Sequence, residues 1–404
     1  MLVPALPRDS QIEQRMGVSP FAVLRYFLSL RDPRGNRREK KHVFMDIIAI
    51  AICAVVGGAD DWPKMAVFAR ERFDWLKTFL VLPNGVPSHD TFERIFELLS
   101  PKAFQRCFIQ FVEGVIGQSE DKHFAIDGKA LRGSGNATTG QKPLHLVSVW
   151  STQVGLGLGQ LAVAKKSNEI IAIPILLSLL DIENAWITID AIGCQKKIAA
   201  KIVEGGGNYV LPVKRNQGHL LQDLAAIFAE AERSKYQDLN TSQYSTEETG
   251  HSRREKRQYT VICNPKNIRK IEEWKKLAVI GKCESERFSQ QKTQSEVRYF
   301  IGSKEAEAKV YGTLLRNHWR IENCLHWQLD VTFREDHSHI RQQNAAENFA
   351  LLRRLALCLL KRHPAKDSIA TKRYNATSSV SFLEESLNCE QIIDTPDIIL
   401  PKLL

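Results

Sequence analysis

The sequence predicts an α/β fold in which a helical N-terminal region precedes a mixed β-sheet. Residues 20–118 carry apolar side chains at three- and four-residue spacing, as amphipathic helices do. From residue 122 onward, short runs rich in β-branched and aromatic residues are interspersed with helical stretches. Three strands joined by short links, followed by helix, strand, helix and strand, indicate a mixed sheet with right-handed connections.

The longest apolar run of the N-terminal region is VFMDIIAIAICAVVGGA, residues 43–59. It contains Asp46, ends in two glycines and is too short for a membrane span, so it predicts a buried helix. The later stretch PNGVPSHDTFERIF predicts a turn and a helix start, with Ser88 or Asp90 as the N-cap and Glu93 completing a capping box. Two short helices across a turn fit either a helix-turn-helix or a plain helical bundle.

The strands and helices that follow define the predicted domains. The predicted strands are residues 122–127, 144–152, 158–166, 185–190 and 208–214. The segment from about 215 to 305 is more polar with strand-like pieces, which indicates a β-rich insertion, and helices are predicted at 305–332 and 344–362. From residue 365 the chain is rich in Ser, Asn and Asp, and we expect poor order there. The predicted domains are 1–118, 119–364 and a tail at 365–404.

The charge of the chain favours a polyanionic partner. Lys and Arg outnumber Asp and Glu by 56 to 46, a formal net charge of +10. Two clusters, RDPRGNRREKK at 31–41 and HSRREKR at 251–257, concentrate the basic residues. Solvated charged loops would also explain them, but together with the net charge they favour phosphate contact. The candidates in the first cluster are Arg37, Arg38, Lys40 and Lys41.

The cysteines and the N-terminus predict a cytoplasmic protein. The eight cysteines are scattered with no CxxC pair, which is typical of reduced thiols in a cytosolic protein. The first twenty residues lack the basic start, apolar core and cleavage site of a signal peptide. We therefore expect neither export nor a membrane partner.

Two of the predicted strands end in an aspartate followed by a small residue, Asp127 in AIDG and Asp190 in TIDA. An Asp at the carboxyl end of a strand points into the crevice where open α/β sheets place their ligands. Each could instead cap a turn or the next helix. Two adjacent buried carboxylates repel, and a hard divalent ion such as Mg²⁺ or Mn²⁺ removes that conflict.

The stretch HWRIENCLHWQLD, residues 318–330, offers a third carboxylate on a helix. His318, Glu322 and His326 follow one another at four-residue spacing beside an apolar stripe, so Glu322 is expected to be half-buried. A zinc site on this helix is the alternative, but its two histidines would lie about 12 Å apart and no HExxH is present. Trp319 and Trp327 flank the group; packing is the favoured role, and a surface for an unstacked base is the other.

The order AIDGKALRGS, TIDAIGCQ, NYVLPVKRNQ and HWRIENCLHWQLDVTFREDHSHIR resembles the H-repeat-associated insertion-sequence transposases of bacteria. These belong to the DDE group with a ribonuclease-H-like catalytic core. The resemblance covers roughly residues 20–362. It implies Asp127, Asp190 and Glu322 as a catalytic triad that binds two Mg²⁺ or Mn²⁺ ions, with the β-rich insertion before the third acid.

The resemblance also implies a substrate and partners. Such an enzyme cuts double-stranded DNA at the terminal inverted repeats of its element and joins the freed 3′-hydroxyl to target DNA, with at least a homodimer at work. Exposed basic groups near the acids would contact phosphates, and some could be simple surface charges. The candidates are Lys129, Arg132, Lys214, Arg215, His318 and His326.

One departure and one alternative limit what the resemblance implies. Related transposases carry a Tyr-x₂-Arg-x₃-Glu-x₆-Lys signature, whose Tyr, Arg and Lys positions are Leu315, His318 and Leu329 here. His318 could replace the Arg as a phosphate contact, whereas the roles of the Tyr and Lys have no counterpart. A DNA-binding remnant that no longer catalyses is the alternative function, although all three acids are present.

Overall fold

The protein contains a nine-stranded mixed sheet surrounded by helices. The computed structural model describes residues 21–35, 40–116, 122–163, 169–250, 253–289 and 292–388. The strand order is β3-β2-β1-β4-β5-β9-β8-β7-β6. The strands are β1 (His123–Leu131), β2 (Leu144–Ser151), β3 (Leu156–Val163), β4 (Trp186–Ile189), β5 (Asn208–Val213), β6 (Thr241–Gly250), β7 (Arg253–Cys263), β8 (Val279–Ser289) and β9 (Lys292–Gly302).

The helices of the described segments fall into three groups along the chain. Those before the sheet are α1 (Ala22–Arg25), α2 (Phe44–Val56), α3 (Trp62–Glu71), α4 (Phe73–Leu76), α5 (His89–Leu98) and α6 (Pro101–Ile116). Those among the strands are α7 (Glu169–Leu177), α8 (Lys196–Glu204) and α9 (Gly218–Arg233). Those after the sheet are α10 (Ala308–His318), a π-helical turn (Glu322–His326), α11 (Trp327–Val331), α12 (Gln343–Arg362), α13 (Ile369–Ser378) and α14 (Val380–Leu387).

The first five strands confirm the predicted mixed sheet. β1, β2 and β3 form an antiparallel meander, whereas β4 pairs parallel with both β1 and β5. The parallel pairs are connected through α7 and α8, since a parallel neighbour cannot be reached by a tight turn. Helix α8 ends at a run of glycines, with Gly205 as its C-cap.

The β-rich insertion extends this sheet. β9 pairs antiparallel with β5, and β8, β7 and β6 continue outward as an antiparallel meander. Helix α9 within this segment was not predicted. Helix α10 crosses from the insertion to the first sheet strands, where Tyr311 packs on Phe300 and Trp186 with ring centroids 5.4 and 5.7 Å apart.

The N-terminal helices share their hydrophobic core with the rest of the molecule. Every residue of α2 is buried, as its uniformly apolar sequence predicts. Helix α12 packs against α2, α5 and α6 and also against β2 and β3, so one core runs through both regions. Ser88 stands at the N-cap position of α5, but its side chain accepts no capping hydrogen bond.

The expectation of poor order from residue 365 onward is wrong for residues 369–387. These residues form α13 and α14, whose N-cap serines, Ser368 and Ser379, accept hydrogen bonds from Thr371 N and Phe382 N. Glu384 accepts a hydrogen bond from Trp75 Nε1 at 2.7 Å, which ties α14 to the N-terminal helices. The Ser-rich composition that suggested disorder instead supplies helix caps.

Among the described residues, no helix is both long and apolar enough to cross a membrane. The cysteines of the same segments are free thiols, as predicted.

A buried ion-pair network joins the end of β1 to the helices that follow the sheet. Glu335 is fully buried and accepts from Lys129 Nζ and Arg354 Nη1, both at 3.0 Å. Lys129 also pairs with Asp330. Although burial opposes ionisation, Arg354 and Lys129 lower the pKa of Glu335 to about 2. The network therefore attaches β1 to the chain just after α11.

We expect Glu335→Gln to destabilise the protein by about 3–5 kcal/mol at pH 7, because Arg354 and Lys129 would keep their burial but lose a charged partner. The folded pKa lies below the ordinary 4.5, so the stabilisation is present above pH 4.5 and is lost as the pH falls toward about 2. Urea unfolding across this pH range measures it. The exposed Glu272→Gln is the matched control, and equal midpoints for the two variants would contradict the role of the network.

For Asp46 of α2 we predict the opposite dependence of folding stability on pH. Its carboxylate is buried and accepts from Leu82 N at 2.9 Å, yet burial outweighs this and raises its pKa from 3.8 to about 6. Its stabilising contribution is therefore greatest below pH 3.8 and is lost as the pH rises through about 6, a change on the order of 3 kcal/mol.

We expect the stability of Asp46→Asn to increase relative to wild type as the pH rises from 4 to 7, since an amide has no carboxyl proton to lose. Thermal unfolding midpoints at both pH values measure this, with the exposed Asp90→Asn as control. A stability difference that does not change with pH would show that Asp46 does not titrate in this window.

Candidate active site

The register between β1 and β4 places Asp127 and Asp190 side by side. The last parallel pair is Ile126 with Ile189, and each aspartate is the next residue along its strand. Asp190 ends its strand as predicted. Asp127 does not, because β1 continues to Leu131 through its pairing with β2. Packing requires a small residue after Asp127, because a Cβ on Gly128 would collide with the Glu169 carboxyl group.

The surroundings of the two aspartates shift their pKa values in opposite directions. Burial and the charges of Asp127 and Glu169 raise the pKa of Asp190, although Ile192 N and Gly193 N donate to its carboxylate. Burial also acts to raise the pKa of Asp127, but His326 and His318 outweigh it and the pKa is lowered. Asp190 thus caps the next turn, as the alternative interpretation expected, and still lies within the electrostatic reach of Asp127.

Glu322 lies in a π-helical turn that interrupts the predicted helix at 305–332. The turn spans Glu322–His326, and Trp327 N donates to Glu322 O across five residues. Within the turn, Cys324 O accepts from Lys361 Nζ of α12 at 2.8 Å. Single π-turns of this kind are frequent at functional sites. Contrary to expectation, the Glu322 side chain is exposed and not half-buried.

The turn brings Glu322 and His326 to Asp127. One ligand atom from each of these three residues lies within 4.8 Å of the other two. His326 Nε2 is 3.3 Å from Asp127 Oδ2. Two carboxylate oxygens and an imidazole nitrogen are suitable donors for a divalent ion, so the residues present fit a metal. Asp190 is outside this group and adjoins it through Asp127.

The two histidines predicted as phosphate contacts are not freely exposed, because His326 is buried and His318 is half-buried. His326 is only 2% exposed. His318 Nδ1 is 3.0 Å from Thr188 Oγ1 on β4, and burial lowers its pKa despite the nearby Asp127. The alternative zinc site on a single helix is not assembled either, because the group of possible ligands contains Asp127 in place of His318.

The other predicted DNA contacts differ in their accessibility. Lys129 does not fit the prediction, because its ammonium group is held inside the network of Glu335 and Asp330. Arg132 is 83% exposed and lies 3.5 Å from Asp336. Lys214 and Arg215 are exposed beside the turn after Asp190, where Asn216 Nδ2 donates to Ala191 O.

The cluster at 31–41 is only partly described. Lys41 is exposed, whereas Lys40 pairs with Asp32 at 3.2 Å. Arg37 and Arg38 lie outside the described residues.

Sequence reasoning missed a buried histidine–glutamate pair near the site. His145 Nε2 of β2 lies 2.5 Å from Glu169 Oε1 of α7, and both side chains are buried. Glu169 contributes to the raised pKa of Asp190. The only sequence signal was the acidic start of a predicted apolar helix, which is also where an ordinary helix favours a carboxylate.

Trp319 and Trp327 are exposed, so the expectation that they pack in the core is wrong. They are 55% and 52% accessible, and they stand on either side of Glu322 along the chain. The Arg298 guanidinium lies 6.0 Å from the Trp319 ring centre. The helix buries its other stripe, including Leu325 and Leu329, against the core.

Comparisons with known proteins identify the family of the chain. A family model described as "Transposase DDE domain" matches residues 118–359, and one described as "DDE_Tnp_1-associated" matches residues 24–112. "Putative transposase YncI" of Escherichia coli O157:H7 is 37% identical over 379 residues, which cover 92% of this chain and 96% of that protein. "H repeat-associated putative transposase YhhI" of Escherichia coli K12 is 39% identical over 328 residues, or 79% and 85% of the two chains.

A solved structure of the piggyBac transposase synaptic complex with hairpin DNA aligns with 96% of this chain and 80% of that one, at 12% identity and a TM-score of 0.40. This alignment is too distant to indicate a shared fold. The family model and the two relatives cover the chain much more closely, and on their evidence the chain belongs to the H repeat-associated family of bacterial insertion-sequence transposases with a DDE domain.

Proposed function

We propose that the chain cleaves DNA at the ends of its insertion sequence and joins the freed 3′-hydroxyl to target DNA, with Asp127, Asp190 and Glu322 holding two Mg²⁺ or Mn²⁺ ions. The observation that carries this proposal is the convergence of three acids from distant parts of the chain. Ligand atoms of Asp127 and Glu322 lie within 4.8 Å, and Asp190 is the register neighbour of Asp127.

The order of the first five strands supports a ribonuclease-H-like core. An antiparallel meander, β3-β2-β1, continues into two strands parallel to β1, and the two aspartates lie where the parallel pairing ends. The third acid comes from the helical region after the insertion. This is the arrangement that the resemblance implies for a DDE enzyme.

The carboxylates of the chain would bind the metal ions and orient them at the scissile phosphate. Asp127 stands between Asp190 on one side and the Glu322 turn on the other, so its carboxylate can serve two ions at once. Divalent ions held by these carboxylates would polarise the scissile phosphate and stabilise the attacking and the leaving oxygen. Their charge also offsets the repulsion among Asp127, Asp190 and Glu169 that raises the pKa of Asp190.

The exposed basic residues near the acids would position the DNA. Lys214, Arg215 and Arg132 are accessible and belong to segments that follow the two aspartates. With a formal net charge of +10, the chain favours association with polyanions. Because both ends of an element are cut together, we propose a homodimer as the working form, acting on DNA in the cytoplasm.

The two exposed tryptophans would contact bases at the cut end. Trp319 and Trp327 bracket Glu322 and leave about half of their surfaces in solvent. Stacking of a base on an aromatic ring tolerates any sequence and contributes about 1–3 kcal/mol per base. The proposed occupant is a base unstacked from the end of the element, next to the phosphate that is cut.

We expect Asp127→Asn and Glu322→Gln each to reduce Mg²⁺-dependent nicking by about 10³-fold or more, because each removes a metal-binding carboxylate. A duplex carrying the inverted repeats that flank the gene is the substrate, and mobility shift checks that DNA binding is retained. Glu307→Gln, an exposed residue at the start of α10, is the matched control. Full nicking by either triad variant contradicts the assignment; a wild-type chain that binds DNA without cutting it is the inactive remnant.

For the tryptophans, we expect Trp319→Ala and Trp327→Ala to weaken binding of element ends that carry an unpaired terminal base by about 5- to 150-fold, the equivalent of one stacked base. 2-Aminopurine at that base reports stacking directly through its fluorescence. Tyr374→Ala, which removes an aromatic ring that is 71% exposed on α13, serves as the control. Unchanged affinity and fluorescence in both Trp variants would show that they do not stack on the end.

A further inference from the structure

The DDE assignment leaves one buried polar side chain at the site unexplained. His326 is 2% exposed, and neither of its ring nitrogens makes a well-aligned hydrogen bond, although the Asp127 carboxylate lies within ion-pair distance of Nε2. Its nearest charged group is Asp127, with Nε2 and Oδ2 3.3 Å apart. Leaving buried polar atoms unsatisfied costs about 1–3 kcal/mol each, so such atoms in a folded protein call for an explanation.

The π-turn explains how this nitrogen reaches the acids. Glu322 and His326 are the first and last residues of the turn, and both face Asp127. Lys361 Nζ donates to Cys324 O in the middle of the turn and to Gly155 O beside β3, at 2.8 and 2.9 Å. The position of His326 is thus set by α12 and the sheet as well as by its own helix.

The separation of the three ligand atoms is close to that required by one ion. They lie within 4.8 Å of one another, whereas ligands about 2.1 Å from an ion lie at most about 4.2 Å apart. Rotation of the exposed Glu322 side chain can close this difference. Asp190 is not among the three, so it is available to a second ion that shares Asp127.

We propose that Nε2 of His326 binds the same divalent ion as Asp127 and Glu322, in addition to the acidic triad. The proposal rests on the proposed function and deepens it, since it assigns a mixed nitrogen and oxygen donor set to one of the two ions. Imidazole suits transition ions better than Mg²⁺, which prefers oxygen donors. The chain should therefore bind Mn²⁺ more tightly than Mg²⁺ at this site.

The test uses Mn²⁺ with the full-length chain and no DNA, because the unpaired electrons of Mn²⁺ detect a directly bound nitrogen. We expect pulsed electron paramagnetic resonance to show a nitrogen coupling that is present in wild type, absent in His326→Gln and retained in His318→Gln. Mn²⁺ affinity, measured by the free Mn²⁺ signal, should fall by roughly 10- to 100-fold in His326→Gln, the range known for groups that only orient a ligand.

A second measurement covers the case in which His326→Gln does not fold. Labelling the histidines of wild type with ¹⁵N should change the coupling pattern, which identifies imidazole without any substitution at residue 326. His318→Gln, similarly labelled, should give the same change.

Several results would overturn the inference. These are Mn²⁺ binding without nitrogen coupling, coupling that survives in folded His326→Gln, coupling lost in His318→Gln, or no Mn²⁺ binding at millimolar concentration. Loss of nicking in Asp127→Asn and Glu322→Gln would still support the triad in each of these cases. Conversely, unaffected nicking in the triad variants would refute the proposed function whatever the spectra show.

Discussion

The parallel pairing of β1 with β4 is the constraint on which the site depends. Once Ile126 pairs with Ile189, the residue that follows each of them along the chain is an aspartate, so Asp127 and Asp190 are neighbours. The chain continues β1 beyond this point by pairing it with β2, while β4 stops and its aspartate caps a turn. The backbone pairing therefore keeps the two aspartates neighbours, and the charge of Asp127 acts on Asp190.

Helix α12 supplies the cations that hold the third acid against this pair. Arg354 pairs with Glu335, and Lys361 donates to the carbonyl of Cys324 inside the π-turn. Lys129, two residues beyond Asp127 on β1, joins the same network. Three buried or half-buried cations thus connect the sheet, the π-turn and α12 into one unit. Because α12 also packs on the N-terminal helices, the helical region contributes to the geometry of the site without donating a ligand.

The parts of the fold that depend on local pattern were predictable from the sequence. β-Branched runs marked the first five strands, and the apolar content of α2 indicated its burial. The π-turn was not predictable, because an unbroken helical pattern runs through it and the interruption is stabilised by Lys361 from a distant helix. The same holds for the pair of His145 and Glu169, whose partners are 24 residues apart and belong to different elements.

Exposure was the least predictable property of the site. The apolar stripe of Leu325 and Leu329 is buried as expected, but the helix turns both tryptophans and Glu322 to solvent. Aromatic residues next to a buried stripe usually join it, since burying them is favourable. Local pattern could not show that the described part of the chain leaves this face open to solvent.

Asp127, Glu322 and His326 differ in burial, and this difference determines which of them an ion from solvent reaches first. His326 is buried and Asp127 partly buried, whereas Glu322 is exposed and lies between the two exposed tryptophans along the chain. An ion entering from solvent would meet the Glu322 carboxylate first, and this side chain is also the one with freedom to adjust. DNA seated on the tryptophans would cover the Glu322 carboxylate and exclude water from the site, which strengthens charge interactions inside. Binding of the DNA end would then favour binding of the metal, because the ion interacts more strongly with its charged ligands once water is excluded.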